Sequence, residues 1–220
     1  MILNSMTISS IEKAISELKK GKFVLVYDGD KREGEADLII GAKFAKPEKI
    51  EQMRKDAGGL ICVAVDSKLA EEAGLQFYTD ILLKTQDPKL KTLICSQTAY
   101  GDKPAFSISV NHRNVYTGIT DEDRSLTITK LAAGNWEQET FAENFYTPGH
   151  VFLLIGRGLE NRKGHTELAL ELGKNAGLDS IVLCEMLGKG KALPKNDVKK
   201  YAKKNGLVFV EGKEIIENLE

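Results

Sequence analysis

A run of charge, Asp28 to Asp37 (DGDKREGEAD), lies between two apolar runs, Phe23 to Tyr27 and Leu38 to Ala42. Its last six residues hold three acids and an arginine. Turns between strands favour Gly, Asn and Asp over a Glu-Gly-Glu series. Glu33, Glu35 and Asp37 alternate with other residues, so on an extended backbone they share one side and can present hard oxygen ligands to a divalent cation. Arg32 then points to the opposite face or folds back across the turn. A solvated, mutually screened loop is the plain alternative for this stretch taken alone.

Three further positions carry chemistry. In RKGHTE, Arg162, His165 and Thr166 stand where a helix opens, and free backbone N–H groups, the helix dipole and a guanidinium suit an anion. Neutral imidazole is also a common metal ligand. The plain alternative makes Thr166 a helix cap and His165 a surface residue. Glu185 interrupts an apolar run, Ile181 to Leu187, as either a salt-bridged structural acid or a strand-end acid whose raised pKa suits proton transfer. His150, in a Pro-Gly-His turn before Val151 to Ile155, is weak evidence by itself.

The elements that must position these residues are legible in outline. Ser9 and Glu12 have capping-box spacing, and Ile11, Ala14, Ile15 and Leu18 share a helical face that stops at Gly21. Phe23 to Tyr27 and Leu38 to Ala42 read as buried strands joined by the charged loop. Pro47 opens a helix ending near Gly58 and Gly59, Leu60 to Val65 reads as a strand, and Ser67 to Ala73 as a short helix. Residues 76 to 104 give no periodic signal and read as a long, partly mobile connection. Phe106 to Val110 reads as a half-buried strand, and Thr120 caps a helix reaching about Ala133. After a polar stretch come the strand Val151 to Ile155, a helix from the RKGHTE turn to Gly177, the strand Ser180 to Leu187, a lysine-rich helix after Pro194, the strand Leu207 to Val210 and a terminal helix. This order predicts an α+β fold: one domain over residues 1–220, with a mixed β-sheet covered by helices in an α-β-α layered arrangement.

Composition narrows the partners. Lys and Arg total 31 against 32 Asp and Glu in 220 residues, so no net field draws nucleic acid or anionic membrane. Lys199, Lys200, Lys203 and Lys204 read as a solvated helix face. Cys62, Cys95 and Cys184 lack metal-type spacing and are expected as free thiols in a reducing compartment. The absence of a membrane-length apolar run or signal pattern predicts a cytoplasmic protein with a small-molecule partner, no nucleic acid and no membrane. GRGLENRKG lacks P-loop spacing.

Six ordered motifs resemble one family: DGDKREGEAD at 28 to 37, GGLIC at 58 to 62, TGITDEDR at 117 to 124, PGHVF at 148 to 152, RKGHTE at 162 to 167 and LCE at 183 to 185. The chain resembles the 3,4-dihydroxy-2-butanone 4-phosphate synthases of riboflavin biosynthesis. That resemblance implies a homodimeric lyase with sites near the subunit interface, which converts D-ribulose 5-phosphate to L-3,4-dihydroxy-2-butanone 4-phosphate and formate. It implies that Glu33 and His165 hold Mg2+ or Mn2+. It also implies that Arg32, Glu33, Asp37, Cys62, Thr117, Arg162, Gly164, His165, Thr166 and Glu185 contact the sugar phosphate, and that His150, Glu185, Glu35 and Asp37 are catalytic. After Glu185 the chain departs from the pattern, with Gly190, Lys191, Ala192 and Leu193 where relatives commonly show Met-Ala-Arg.

The chemistry suits the residues. Proton removal beside a ketone makes an enediolate whose charge a divalent cation stabilises, and losing water, shifting a carbon skeleton and shedding formate needs several acid/base groups. A loop so rich in acids is expected to order on binding metal and substrate. Two other readings compete. A phosphosugar isomerase or epimerase would use the same enediolate and keep all five carbons. A nucleotide- or RNA-binding module of the YrdC type would use a similar fold, against which near-neutral charge and the acid loop argue.

Overall fold

The computed structural model describes residues 9–95, 97–134 and 136–219. Its centre is a seven-stranded mixed sheet in the order β4-β5-β3-β6-β2-β1-β7, formed by β1 (Val24–Tyr27), β2 (Ala36–Gly41), β3 (Cys62–Val65), β4 (Phe106–His112), β5 (Phe145–Ile155), β6 (Ser180–Glu185) and β7 (Val208–Glu211). β3–β5 and β1–β7 pair parallel; the other neighbours pair antiparallel. β1, β2 and β3 are buried along their whole length. Strands covered on both faces read as continuous apolar runs, which is why VLVY, ADLIIG and CVAV show little alternation.

Two helical layers supply the cover. On one face α1 (Ser10–Lys19), α8 (His165–Asn175) and α10 (Gly212–Leu219) pack Ile11, Leu18, Leu168, Leu172 and Ile215 against Val24, Val26, Ile39, Cys62, Ala64, Ile181 and Leu183. On the other, α2 (Pro47–Gln52), α3 (Ser67–Glu72), α6 (Asp121–Leu131), α7 (Gln138–Asn144) and α9 (Lys195–Asn205) pack Ile50, Ala70, Ile128, Leu131, Phe141 and Val198 against Leu25, Leu38, Ile40, Val63, Val65, Val182 and Cys184. The expected three-layer α+β architecture is the observed one. The capping box forms: Ser9 Oγ accepts from Glu12 N at 3.2 Å and Glu12 Oε2 from Ser9 N at 2.9 Å. Cys62, Cys95 and Cys184 are free thiols. Among the described residues no helix is long and apolar enough to cross a membrane.

Two stretches differ from expectation. Residues 76–104 are not one loose connection but carry α4 (Tyr78–Lys84) and α5 (Pro88–Lys91), between which and the sheet edge runs an apolar groove. Neither helix buries a residue fully, so no apolar stripe marks them in the sequence. The polar stretch before Val151 holds α7 and the first half of β5, so Pro148, Gly149 and His150 lie within a strand rather than in a turn leading to one. Residues 146–150 are mostly exposed there, which erases the alternation that would reveal a strand.

Candidate active site

The charged stretch closes a hairpin. β1 and β2 pair with Tyr27 opposite Ala36, leaving residues 28–35 as the loop and Asp37 inside β2. The three acids do not form an extended row, because Gly34 turns left-handed at φ +70 between Glu33 and Glu35. Asp28 is the loop's internal anchor: its buried carboxylate accepts from the backbone N–H groups of Glu33 at 2.9 Å, Gly34 at 3.1 Å and Glu35 at 3.1 Å. A single carboxylate thereby satisfies three amides that the turn leaves unpaired.

The amino terminus of α8 faces this loop. His165 begins the helix, and its Nε2 lies 3.1 Å from the Glu35 carbonyl oxygen, 3.9 Å from Asp37 Oδ1 and 4.0 Å from Asp28 Oδ1. Ligand atoms of Asp28, Glu33 and His165 lie within 4.8 Å of one another. Gly164 precedes the helix, and a Cβ there would sit 2.2 Å from Arg162 Nη1, so only glycine lets the guanidinium fold over the helix start. Thr166, buried in the first turn, does not cap the helix; Gly164 occupies that position.

Two arginines border the acids. Arg162 is buried, donates from Nη1 to the buried Glu167 at 2.6 Å, and approaches Asp102 at 3.5 Å and Glu33 at 4.0 Å. Arg32 folds back across the loop to Asp102 at 2.5 Å and lies 3.6 Å from Asp28. The Nε atoms of both arginines are buried without a hydrogen-bond partner. These two Nε–H groups lie only at ion-pair distance from carboxylates, 3.6 Å from Asp28 and 3.5 Å from Asp102, so they retain capacity to donate to an anion; Arg124 and Arg157 carry unpaired Nε atoms as well.

Glu185 ends β6 directly opposite Asp37 of β2. Its Oε2 accepts from Leu60 N at 2.8 Å, and Gly59 is required beside it, since a Cβ would fall 2.4 Å from the same oxygen. Cys62 of β3 pairs with Leu183 and shares the face that carries Asp37 and Glu185. Burial, then the charges of Glu185 and Asp37, pushes the Cys62 thiol well up, so it meets a ligand as S–H.

Electrostatics follow from crowding acids under a helix. Burial, reinforced by Glu185, Glu33 and Glu35 against the pull of His165, raises Asp37 to about 7. Burial and Glu33 also raise Glu35. Burial disfavours charge on His165, but Asp37, Asp28 and Glu33 outweigh it and raise its pKa.

The structure thus brings Arg32, Glu33, Glu35, Asp37, Cys62, Arg162, Gly164, His165, Thr166 and Glu185 to one sheet end. It does not bring His150 and Thr117 into contact with them. The β3–β5 register, Cys62 opposite Phe152, puts His150 on the same face and end as Glu185 but two strands away, about 10 Å at ordinary strand spacing. His150 is exposed and held on the β4 side by Asn111. Thr117 is exposed before α6, where Asp123 accepts from the amides of Tyr116 at 3.2 Å, Thr117 at 3.0 Å and Gly118 at 2.8 Å. Sequence reasoning missed Asp28, Asp102, Glu167 and Asn111. Asp28 and Glu167 lay inside quoted motifs, whereas Asp102 fell in the aperiodic stretch and Asn111 just beyond an assigned strand.

Residues 12–218 match the family model described as 3,4-dihydroxy-2-butanone 4-phosphate synthase. The chain is similar to the protein of that name from Methanothermobacter thermautotrophicus, 43% identical over 217 residues that cover 94% of this chain and 95% of that one. The Archaeoglobus fulgidus protein of the same name is 37% identical over 224 residues, covering 96% and 94%. Among solved structures, a 3,4-dihydroxy-2-butanone 4-phosphate synthase in complex with two magnesium ions superposes with a TM-score of 0.79 at 28% identity, covering 96% of this chain and 97% of that one.

Proposed function

From the premise that the chain belongs to the 3,4-dihydroxy-2-butanone 4-phosphate synthase family, we propose that it converts D-ribulose 5-phosphate to L-3,4-dihydroxy-2-butanone 4-phosphate and formate in riboflavin biosynthesis. One observation carries the reading: a three-residue ligand cluster, Asp28, Glu33 and His165, stands beside buried Arg162 and half-buried Arg32, whose Nε–H groups make no hydrogen bond and meet carboxylates only at ion-pair distance. Carboxylates with one imidazole fit a hard divalent cation, Mg2+ or Mn2+, better than a thiolate-seeking metal. Glu33 and His165 would hold it, and when bound it supplies Lewis-acid stabilisation of charge on substrate oxygens.

The chain's own groups do the rest. Arg162 and Arg32 take the phosphate on the donors left idle in the protein alone, with the Thr166 hydroxyl and the amides opening α8 adding further donors. Asp37, balanced between its protonated and ionised forms near neutrality, and Glu35 pass protons to and from the carbons next to the ketone. Glu185, oriented by Leu60 N–H, serves the later steps that lose water and formate. The Cys62 thiol packs against the substrate as a neutral donor.

His150 and Thr117 enter from a second subunit of a homodimer. Exposed Tyr116, Ile119 and Tyr146 flank them and give that contact an apolar rim. The protein acts as one domain over residues 1–220, in the cytoplasm, without nucleic acid or membrane partners. Incubation with ribulose 5-phosphate and Mg2+, followed by formate assay and carbon NMR, tests the reading. A four-carbon phosphate with one formate is expected; a five-carbon isomer would point to an isomerase, and no turnover would sink the assignment.

A further inference from the structure

β4 and β5 pair irregularly. Val110 lies opposite Val151, yet the next residue, Asn111, lies opposite Tyr146, so residues 147–150 bulge from the ladder without β4 partners. The Asn111 side chain plugs the bulge. The His150 backbone N–H donates to Asn111 Oδ1 at 2.8 Å, and because an N–H can only donate, that contact fixes which end of the amide is oxygen. Asn111 Nδ2 then donates to Tyr146 Oη at 3.0 Å and lies 3.2 Å from His150 Nδ1, while Oδ1 lies 3.3 Å from the same nitrogen.

Asn111 is 2% exposed, so its second amide hydrogen has no water to turn to. That hydrogen is satisfied only if His150 Nδ1 carries no proton. A proton on Nδ1 would face the amide N–H donor to donor and strand it. Oδ1 keeps a second lone pair that could accept from Nδ1–H at 3.3 Å, but it already has one donor in the backbone N–H, whereas the second amide hydrogen would have none, so the unprotonated Nδ1 leaves fewer buried groups unpaired. We infer that Asn111 is a positioning residue that holds His150 as its Nε2-protonated tautomer, so that His150 meets the reacting molecule as a hydrogen-bond donor. This rests on the reading that His150 takes part in the proposed reaction. Plugging the bulge alone needs only Oδ1, which leaves the Nδ2 contact to the ring as the feature that a structural role does not explain.

Asn111→Asp separates the two roles. It keeps an acceptor for the His150 backbone N–H and for the Tyr146 hydroxyl, but offers no donor to Nδ1, so the ring proton moves to Nδ1. Nitrogen-15 NMR of the imidazoles at alkaline pH reads the tautomer directly; with His112, His150 and His165 as the three histidines, a His150→Gln variant assigns the signal. Wild-type protein is expected to show Nε2–H, and Asn111→Asp to show Nδ1–H; burying a new carboxylate lowers the variant's melting temperature by itself, so the tautomer rather than the stability decides. Formate release should lose tenfold or more in kcat with little change in KM. A wild-type Nδ1–H tautomer overturns the inference without any variant, should Asn111→Asp fail to fold. A variant that keeps the wild-type tautomer reduces Asn111 to a bulge plug, and a shifted tautomer with unchanged kcat overturns the donor role. If wild-type protein releases no formate, the synthase reading fails, while the NMR result still decides how Asn111 holds the ring.

Discussion

Asp37 is 1% exposed, and burial among Glu185, Glu33 and Glu35 lifts its carboxyl to about 7, against about 4 in an unfolded chain. Between those values the native state holds a proton that the unfolded state has released, so metal-free protein loses stability as pH rises from about 4 to about 7. The raised His165 acts with the same sign above its ordinary value. Three pH units of proton affinity correspond to about 4 kcal/mol, the cost of ionising Asp37 in place. Asp37→Asn removes that cost and keeps the shape. At pH 5 the variant should therefore match the wild type, and at pH 8 in chelator it should be more stable by up to about 4 kcal/mol, or roughly 8–16 °C in melting temperature for a chain of this size. The comparison must be a difference between the two proteins. Asp121, paired with Arg54, and Asp123, bonded to the amide of Gly118, are held below the usual carboxylate range, and both lose stability as pH falls. Urea unfolding across pH with chelator, repeated with Mg2+, measures the effect. Magnesium should restore the wild type far more than the variant, since it favours the ionised carboxylates. An Asp37→Asn protein equal to or weaker than wild type at pH 8 would refute the reasoning and make Asp37 an ionised partner of His165.

Four other substitutions or mixtures probe the rest of the site. Glu185→Gln keeps an acceptor for Leu60 N–H, so it should melt within a few degrees of wild type and release almost no formate; an active protein that is destabilised instead makes Glu185 structural. Arg162→Lys loses the planar fork shared by Glu167, Asp102 and the expected phosphate, and its defect should lie in substrate affinity, read by calorimetry. Asp102→Asn removes the carboxylate that both arginines hold, and should tighten inorganic phosphate about fivefold, equivalent to about 1 kcal/mol; weaker binding would make Asp102 an organiser of the arginines rather than a competitor. Mixing refolded His150→Ala and Glu185→Gln subunits should regain part of the activity each lacks alone, and a mixture as inactive as its components would return His150 to its own chain's site.

Much of the architecture was legible because burial and turn chemistry are local. The charged loop between two apolar runs is a hairpin, the capping box starts α1, and RKGHTE opens α8. The order of strands was not legible. In β1, β2 and β3 every residue is buried, so nothing in the sequence says which neighbour each strand takes or in which direction. The helices α4 and α5 were hidden for the opposite reason: they bury no residue fully, so their apolar residues follow no period.

That missing order also bears on what the site can be. The motifs place His150 between Thr117 and Arg162 along the chain, and a linear reading puts all of them in one pocket. The sheet interposes β3 between His150 and Glu185, and the Cys62–Phe152 and Cys62–Leu183 pairings leave the two side chains on one face at the same level, roughly 10 Å apart and so out of direct contact. Asn111 holds its ring on the far side as well. The bulge in β5 fixes His150 as an exposed histidine at the surface, which is the arrangement the proposed homodimer needs if His150 is to serve a neighbour's site.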